Sequence, residues 1–245
     1  MFCQPLIALF AMVPLVLSAP AASTASTSNV DFKSSSSIQK STFPTLAARI
    51  PQNCPVSNIT VPLSSVAGLS VPSGQVVSAI AVGRGVQNYT CSNGTYASAG
   101  ALANLFDVSC LYTLTSGFID PNTISGLLPK MAFSALSFPD AGSKIPLAIH
   151  HQFVATPGST TKGAISPEFS TGSDHVILSK IAGVNAPSDS TTNVPWLQLG
   201  ALEGQGTLSK SVFRTNTFKG QPPTSCTAEG EPLSVQYATM YFFTE

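Results

Sequence analysis

At 245 residues and 25.3 kDa the chain is long enough to bury a sizeable core in one large domain, which excludes a disulfide miniprotein. Charged residues make up 9% of it, against an average of about 25%, and the 34 Ser and 23 Thr residues make it hydroxyl-rich instead. The 11 basic residues balance 11 acidic ones with no basic cluster, and this excludes nucleic acid as a main partner because phosphate backbones demand concentrated cations.

Phe2-Cys3-Gln4-Pro5, an apolar run from Leu6 to Leu17 and the small residues Ser18-Ala19-Pro20-Ala21 read as a secretory signal peptide over 1–21. The run is about a dozen residues, short of the roughly 20 that span a bilayer, so no membrane segment is expected once the signal is cleaved near Ala21. Residues 22–42, with Ala-Ala-Ser-Thr-Ala-Ser-Thr-Ser and the Ser34 to Ser37 run, carry too few apolar side chains to offset the entropy of ordering. They read as a Ser/Thr-rich disordered stalk, followed by a single globular domain over 43–245.

Cys3 leaves with the signal, and Cys54, Cys91, Cys110 and Cys226 remain, an even set suited to two disulfides in an oxidising compartment. Spacing leaves all three pairings open. A zinc site is the competing use, but there is no Cys-x-x-Cys. Asn58-Ile59-Thr60, Asn88-Tyr89-Thr90 and Asn93-Gly94-Thr95 are glycosylation sequons, so Asn58, Asn88 and Asn93 are expected on the surface.

Along the globular region, turn residues recur between short apolar runs, the signature of strands. Val76 to Val82 and Val86 to Cys91 flank Gly83-Arg84-Gly85 and predict one bent strand or a hairpin. Ala97 to Leu105 and Leu127 to Leu136 carry what helix signal there is. In Ile145 to Phe153 the period of two puts Ile149, His151 and Phe153 on one face and His150 on the other. Further strands are expected at His175 to Ile181, Trp196 to Leu202, Thr207 to Thr215 and Leu233 to Phe243, with Glu203-Gly204-Gln205-Gly206 as a hairpin loop. The fold class is therefore all-β, an antiparallel sandwich or barrel-like domain with minor short helices.

The strings Val82-Gly83-Arg84-Gly85-Val86-Gln87-Asn88-Tyr89-Thr90-Cys91, Leu105-Phe106-Asp107 and Val194-Pro195-Trp196-Leu197-Gln198-Leu199 occur in this order. Gly204 to Leu208, Arg214-Thr215-Asn216-Thr217, Pro222 to Cys226 and Val235 to Phe242 follow. The set resembles a secreted fungal and bacterial family known as domain of unknown function 3455, from about Gln75 to Phe243. The resemblance implies a Cys91–Cys226 disulfide, and with it Cys54–Cys110, but brings no established activity. Members often carry the label malate dehydrogenase. The residues argue against that NAD-dependent activity here: no Gly-x-Gly-x-x-Gly opens a helix after a strand, and the strand-helix alternation of a dinucleotide fold is absent.

His150, His151 and His175, with Asp140, Glu168 and Asp174, form the one sequence cluster able to bind a divalent metal or move protons. No recognised ligand spacing accompanies it, and a hydrogen-bonded core role for His151 is the stronger reading. No cofactor is therefore predicted. No Gly-x-Ser-x-Gly marks a serine nucleophile. Trp196 is the lone tryptophan and a candidate stacking surface, on the strand face opposite Leu197 and Leu199. Arg84, between glycines, is a candidate carboxylate fork or a solvated hairpin arginine.

These readings converge on a secreted, extracellular or cell-wall-associated binding or structural module whose partner is a wall glycan or another extracellular ligand. The alternative is a secreted hydrolase or metal-dependent enzyme built on His150, His151, His175 and Asp174. Phe242-Phe243-Thr244-Glu245 provides no hydrophobic tail for a lipid anchor, so release or non-covalent wall association is expected.

Overall fold

The computed structural model describes residues 54–63, 66–137 and 147–245, all within one compact unit, Phe43–Glu245. The signal peptide and stalk expected over 1–42, and Asp140 of the acidic set, lie outside the described residues.

Eight antiparallel strands follow one another round a closed barrel: β1 (Val77–Ser92), β2 (Thr95–Asp107), β3 (Leu147–Ala155), β4 (Ile165–Ser170), β5 (His175–Val184), β6 (Trp196–Gly206), β7 (Ser211–Lys219) and β8 (Pro232–Thr244). Pairing of β1 with β8, from Val77 opposite Thr244 to Thr90 opposite Pro232, closes the cylinder. Closure removes the exposed sheet edges that invite aggregation. The sandwich-or-barrel alternative thus resolves to a barrel.

Alternation along the strands divides the side chains cleanly. Inward go Ala81, Ala103, Leu105, Ile149, Phe169, Val176, Leu178, Leu199, Val212, Tyr237, Tyr241 and Phe243, one contiguous core. These side chains pack the barrel interior around Phe169, as expected of an eight-stranded cylinder. The glycines flanking Arg84 answer to this packing. A Cβ on Gly83 would stand 2.6 Å from the Tyr241 ring, and one on Gly85 would collide with the Leu102 carbonyl. They let β1 run through as one bent strand.

Between β2 and β3, α1 (Ser109–Thr115) and α2 (Pro121–Ser134) cover one outer flank. Asp120 caps α2 by accepting the Thr123 amide at 3.0 Å, and Pro121 stands at the first helical turn. Tyr112, Ile124 and Leu128 pack onto the outward Ile80, Val82, Phe213, Met240 and Phe242 in a second core. The Tyr112 and Phe242 rings meet edge to face at 5.8 Å. No helix among the described residues is long and apolar enough to cross a membrane.

Several expectations are corrected. Ala97 to Leu105 is not helical but the middle of β2, because pairing with β1 and β3 outweighs alanine's helix propensity. Glu203 to Gly206 belongs to β6, and the turn to β7 falls at Thr207 to Lys210. Strand β4 and helix α1 carried no clear sequence signal. The helix expected from Leu127 to Leu136 falls within α2 and the short 3-10 turn Ala135–Ser137 that follows it.

Candidate functional site

The neighbouring histidines of β3 point to opposite sides of the wall. His151 lies in the interior, 5% exposed, its Nδ1–H donating to the Glu168 carbonyl at 2.9 Å while its ring stacks on Phe169 at 4.2 Å. Burial, with a smaller contribution from nearby Arg214 and against the Glu168 hydrogen bond, lowers its pKa to about 4, so the ring is neutral at ordinary pH. His150 is on the outside, 3.2 Å from Asn104 Oδ1. Register places Asn104, His150, Ser170 and His175 abreast on β2 to β5. Asp174 accepts from the Thr207 hydroxyl at 2.8 Å and from the His175 amide at 2.7 Å, and these hydrogen bonds hold its pKa below the usual range. Among the described residues no group of three or more His, Cys, Asp or Glu side chains is placed to hold a metal ion.

Arg84 is half-buried on the outer face with its guanidinium 5.3 Å from the centre of the Phe106 ring, a cation–π arrangement. Asp107 of the Leu-Phe-Asp string accepts the Ser109 amide at 2.7 Å, holding the turn into α1. Disulfides join Cys54 to Cys110 and Cys91 to Cys226. Asn58 and Asn93 are exposed, Asn93 in the β1–β2 turn at φ 51°. Asn88 is half-buried and accepts from the Ser234 hydroxyl at 2.7 Å.

Trp196 opens β6 on the outer face. It packs against Leu69 and Ala186 in a small outer cluster and is 5% exposed, so it presents only an edge. That edge borders a groove of about 360 Å3 between α2, the Pro187 to Asn193 loop and the end of β7. Phe218 adds a second aromatic wall; Asn122, Asn193 and Asn216 line it with amides, and Lys130 and Asp189 contribute one charge of each sign.

The backbone is unusual at this place. Between Thr215 and Phe218 the β7–β8 register slips, pushing Asn216 out at φ 48°. Asp189 and Lys219, nearby, also take left-handed conformations, at φ 48° and 65°. Of the four described non-glycine residues with positive φ, three therefore cluster here, a conformation that L-residues adopt at a cost. The Thr217 hydroxyl donates to the Val194 carbonyl at 2.6 Å and the Lys219 amide to Asn193 Oδ1 at 2.8 Å, stitching the slipped strand to the loop. Asn216 Oδ1 and Thr215 Oγ1 are buried and unpaired. Buried unpaired polar atoms are rare, and strain together with lost pairing marks functional sites more often than cores.

Two other recesses lack these features. One of about 670 Å3 is lined largely by Ile59, Val61, Pro62, Leu63, Leu69 and Val71, and one of about 300 Å3 lies beside His150, Gln152 and Ser170. Sequence reasoning singled out Trp196 but not Asn122, Lys130, Asp189, Asn193, Asn216 and Phe218, which come from three further stretches of chain: α2, the Pro187 to Asn193 loop and β7. The expected strand Thr207 to Thr215 stopped short of Asn216, which the structure places inside β7, where asparagine is disfavoured.

Over residues 72–245 the chain matches the family described as protein of unknown function (DUF3455). The chain belongs to this family. The match takes in the whole barrel and both helices. No curated protein and no solved structure matches the chain.

Proposed function

We propose that this member of the family is a secreted, extracellular or cell-wall-associated binding module, and that the groove beside Trp196 takes a short segment of a neutral, polyhydroxylated ligand such as a wall glycan. The observation that carries this reading is the groove itself, where Asn122 and Asn216 line a recess bordered by Phe218 and the Trp196 edge, over a strained backbone. A sugar hydroxyl suits the amides, and its C–H groups suit the half-buried Phe218 ring and the Trp196 edge. The balanced pair Lys130 and Asp189 favours an uncharged ligand. The two disulfides and the exposed sequons at Asn58 and Asn93 suit an oxidising, glycosylating route. The hydrolytic or metal-dependent alternative draws less support, because His151 faces the interior while His150 and His175 face out.

Titration calorimetry of the secreted protein with soluble β-glucan, chitin and mannan fragments tests the reading. Binding by one of them, weakened about tenfold or more in Asn216→Gly and Asn122→Ala, which each delete a groove hydrogen-bonding group, is expected. Absence of binding to all three, or binding indifferent to both substitutions, overturns it.

A further inference from the structure

Behind the groove, inside the barrel, Arg214 is the one charged side chain buried among the described residues; it is 8% exposed, and no Asp or Glu is buried with it. Strand alternation sends it inward, opposite Leu197 on β6 and Tyr241 on β8. Its Nε and Nη2 both donate to a single acceptor, the Pro195 carbonyl, at 3.3 and 2.9 Å. A buried guanidinium without a counter-charge is costly.

The neighbouring side chains carry donors as well as acceptors. Gln87 Nε2 is buried without a well-formed hydrogen bond, the Gln87 side chain standing beside the Tyr237 hydroxyl. The Tyr237 and Tyr241 hydroxyls stand 2.9 Å apart; one proton serves that contact and the other is left to donate elsewhere. Tyr89 gives its proton to the Gly220 carbonyl at 2.8 Å. Gly220 draws these groups together, for a Cβ there would meet Tyr237 Cβ at 2.9 Å and Gln87 Cγ at 3.3 Å.

We propose that the interior of the barrel at Arg214 is an anion site, taking one small monovalent anion, a halide or a carboxylate group, with Gln87 Nε2 and the tyrosine pair as neutral donors. The side chains nearby do not provide the negative charge themselves. Burial raises the Tyr89 pKa to about 12 although Arg214 opposes the rise, and raises Tyr237 and Tyr241 as well, so all three phenols stay protonated and neutral. A cation is disfavoured beside Arg214, and a water would satisfy donors without balancing charge. The site is separate from the groove and stands whether or not the groove binds glycan.

The test uses the full secreted protein and its Gln87→Leu variant, melted at matched ionic strength in methanesulfonate, bromide or acetate. General salt effects are common to both proteins and cancel. The wild type is expected to melt roughly 5 °C higher in an anion at about a hundred times its Kd, with the increment lost in Gln87→Leu. Bromide-soaked crystals are expected to show an anomalous peak within hydrogen-bond reach of Arg214 and Gln87. A rise in both bromide and acetate supports a general monovalent-anion site, and a rise in acetate alone supports one for the carboxylate of a larger ligand. Equal increments in the two proteins with no bromide peak at Arg214 overturn the proposal.

Discussion

Two parts of the same barrel are packed by different rules. Around Phe169, the rings of His151, Tyr241 and Phe243 meet at 4.2, 5.3 and 5.5 Å, and the buried His151 Nδ1 and Tyr241 hydroxyl each have a partner, the Glu168 carbonyl and the Tyr237 hydroxyl. At the Asn193–Gly220 end, Gln87 Nε2, Thr215 Oγ1 and Asn216 Oδ1 are all buried and unpaired, Arg214 is buried without a carboxylate, and the backbone is strained. The first arrangement maximises stability. The second forgoes some of it, and such concessions concentrate where a protein meets a ligand. The contrast yields substitutions whose effects must differ in size and, in the end, in sign.

The largest effect belongs to Phe169→Ala, which empties the packed side and removes three aromatic contacts at once. A loss of about 3–5 kcal/mol in urea unfolding is expected; a loss below about 1 kcal/mol, far short of that range, would mean the interior is not close-packed there. Next comes the double replacement Cys91→Ser, Cys226→Ser. This disulfide spans 135 residues and ties β1 to the approach of β8, so its removal is expected to cost about 2–5 kcal/mol. An unchanged denaturation midpoint in the non-reduced protein would contradict a structural role.

His151 provides a pH-dependent measure of the same packed side. Its pKa is about 4 in the fold against about 6.5 when unfolded, so the unfolded state binds the proton more readily. Stability is therefore complete above about pH 6.5 and falls as pH drops toward 4, by up to about 3 kcal/mol. Melting curves across that window should flatten in His151→Gln. Asp174, whose pKa is lowered by its hydrogen bonds, loses its contribution only at lower pH, which keeps the two titrations apart.

Much of the packed side was legible in the sequence, and little of the strained end. The alternation through Ile149, His151 and Phe153 gave the facing of both histidines, because a period of two is enforced by the pleat itself. Gly83-Arg84-Gly85 announced a bend but left a hairpin open, and the structure makes it one continuous strand. Ala97 to Leu105 misled because alanine's local preference points to helix, whereas its small side chain is used here to fit the barrel's interior at Ala101 and Ala103. Strand β4 escaped notice because it is short and carries Pro167. The groove was illegible for another reason: it joins α2, the Pro187 to Asn193 loop, β6 and β7, and no local pattern records where distant segments meet.

The smallest predicted effect separates the two regions most sharply, because its sign is reversed. Asn216 has φ 48°, a region that glycine enters without strain, and its Oδ1 is buried without a partner. Asn216→Gly removes both costs. On the packed side, deleting a side chain weakens the fold, but here the denaturation midpoint should rise, by roughly 0.5–1 kcal/mol in stability, while glycan binding in the groove falls. A stability loss of similar size would show that Asn216 holds the slipped strand in place rather than waiting for a ligand, and the strained end would then be ordinary structure like the rest of the barrel.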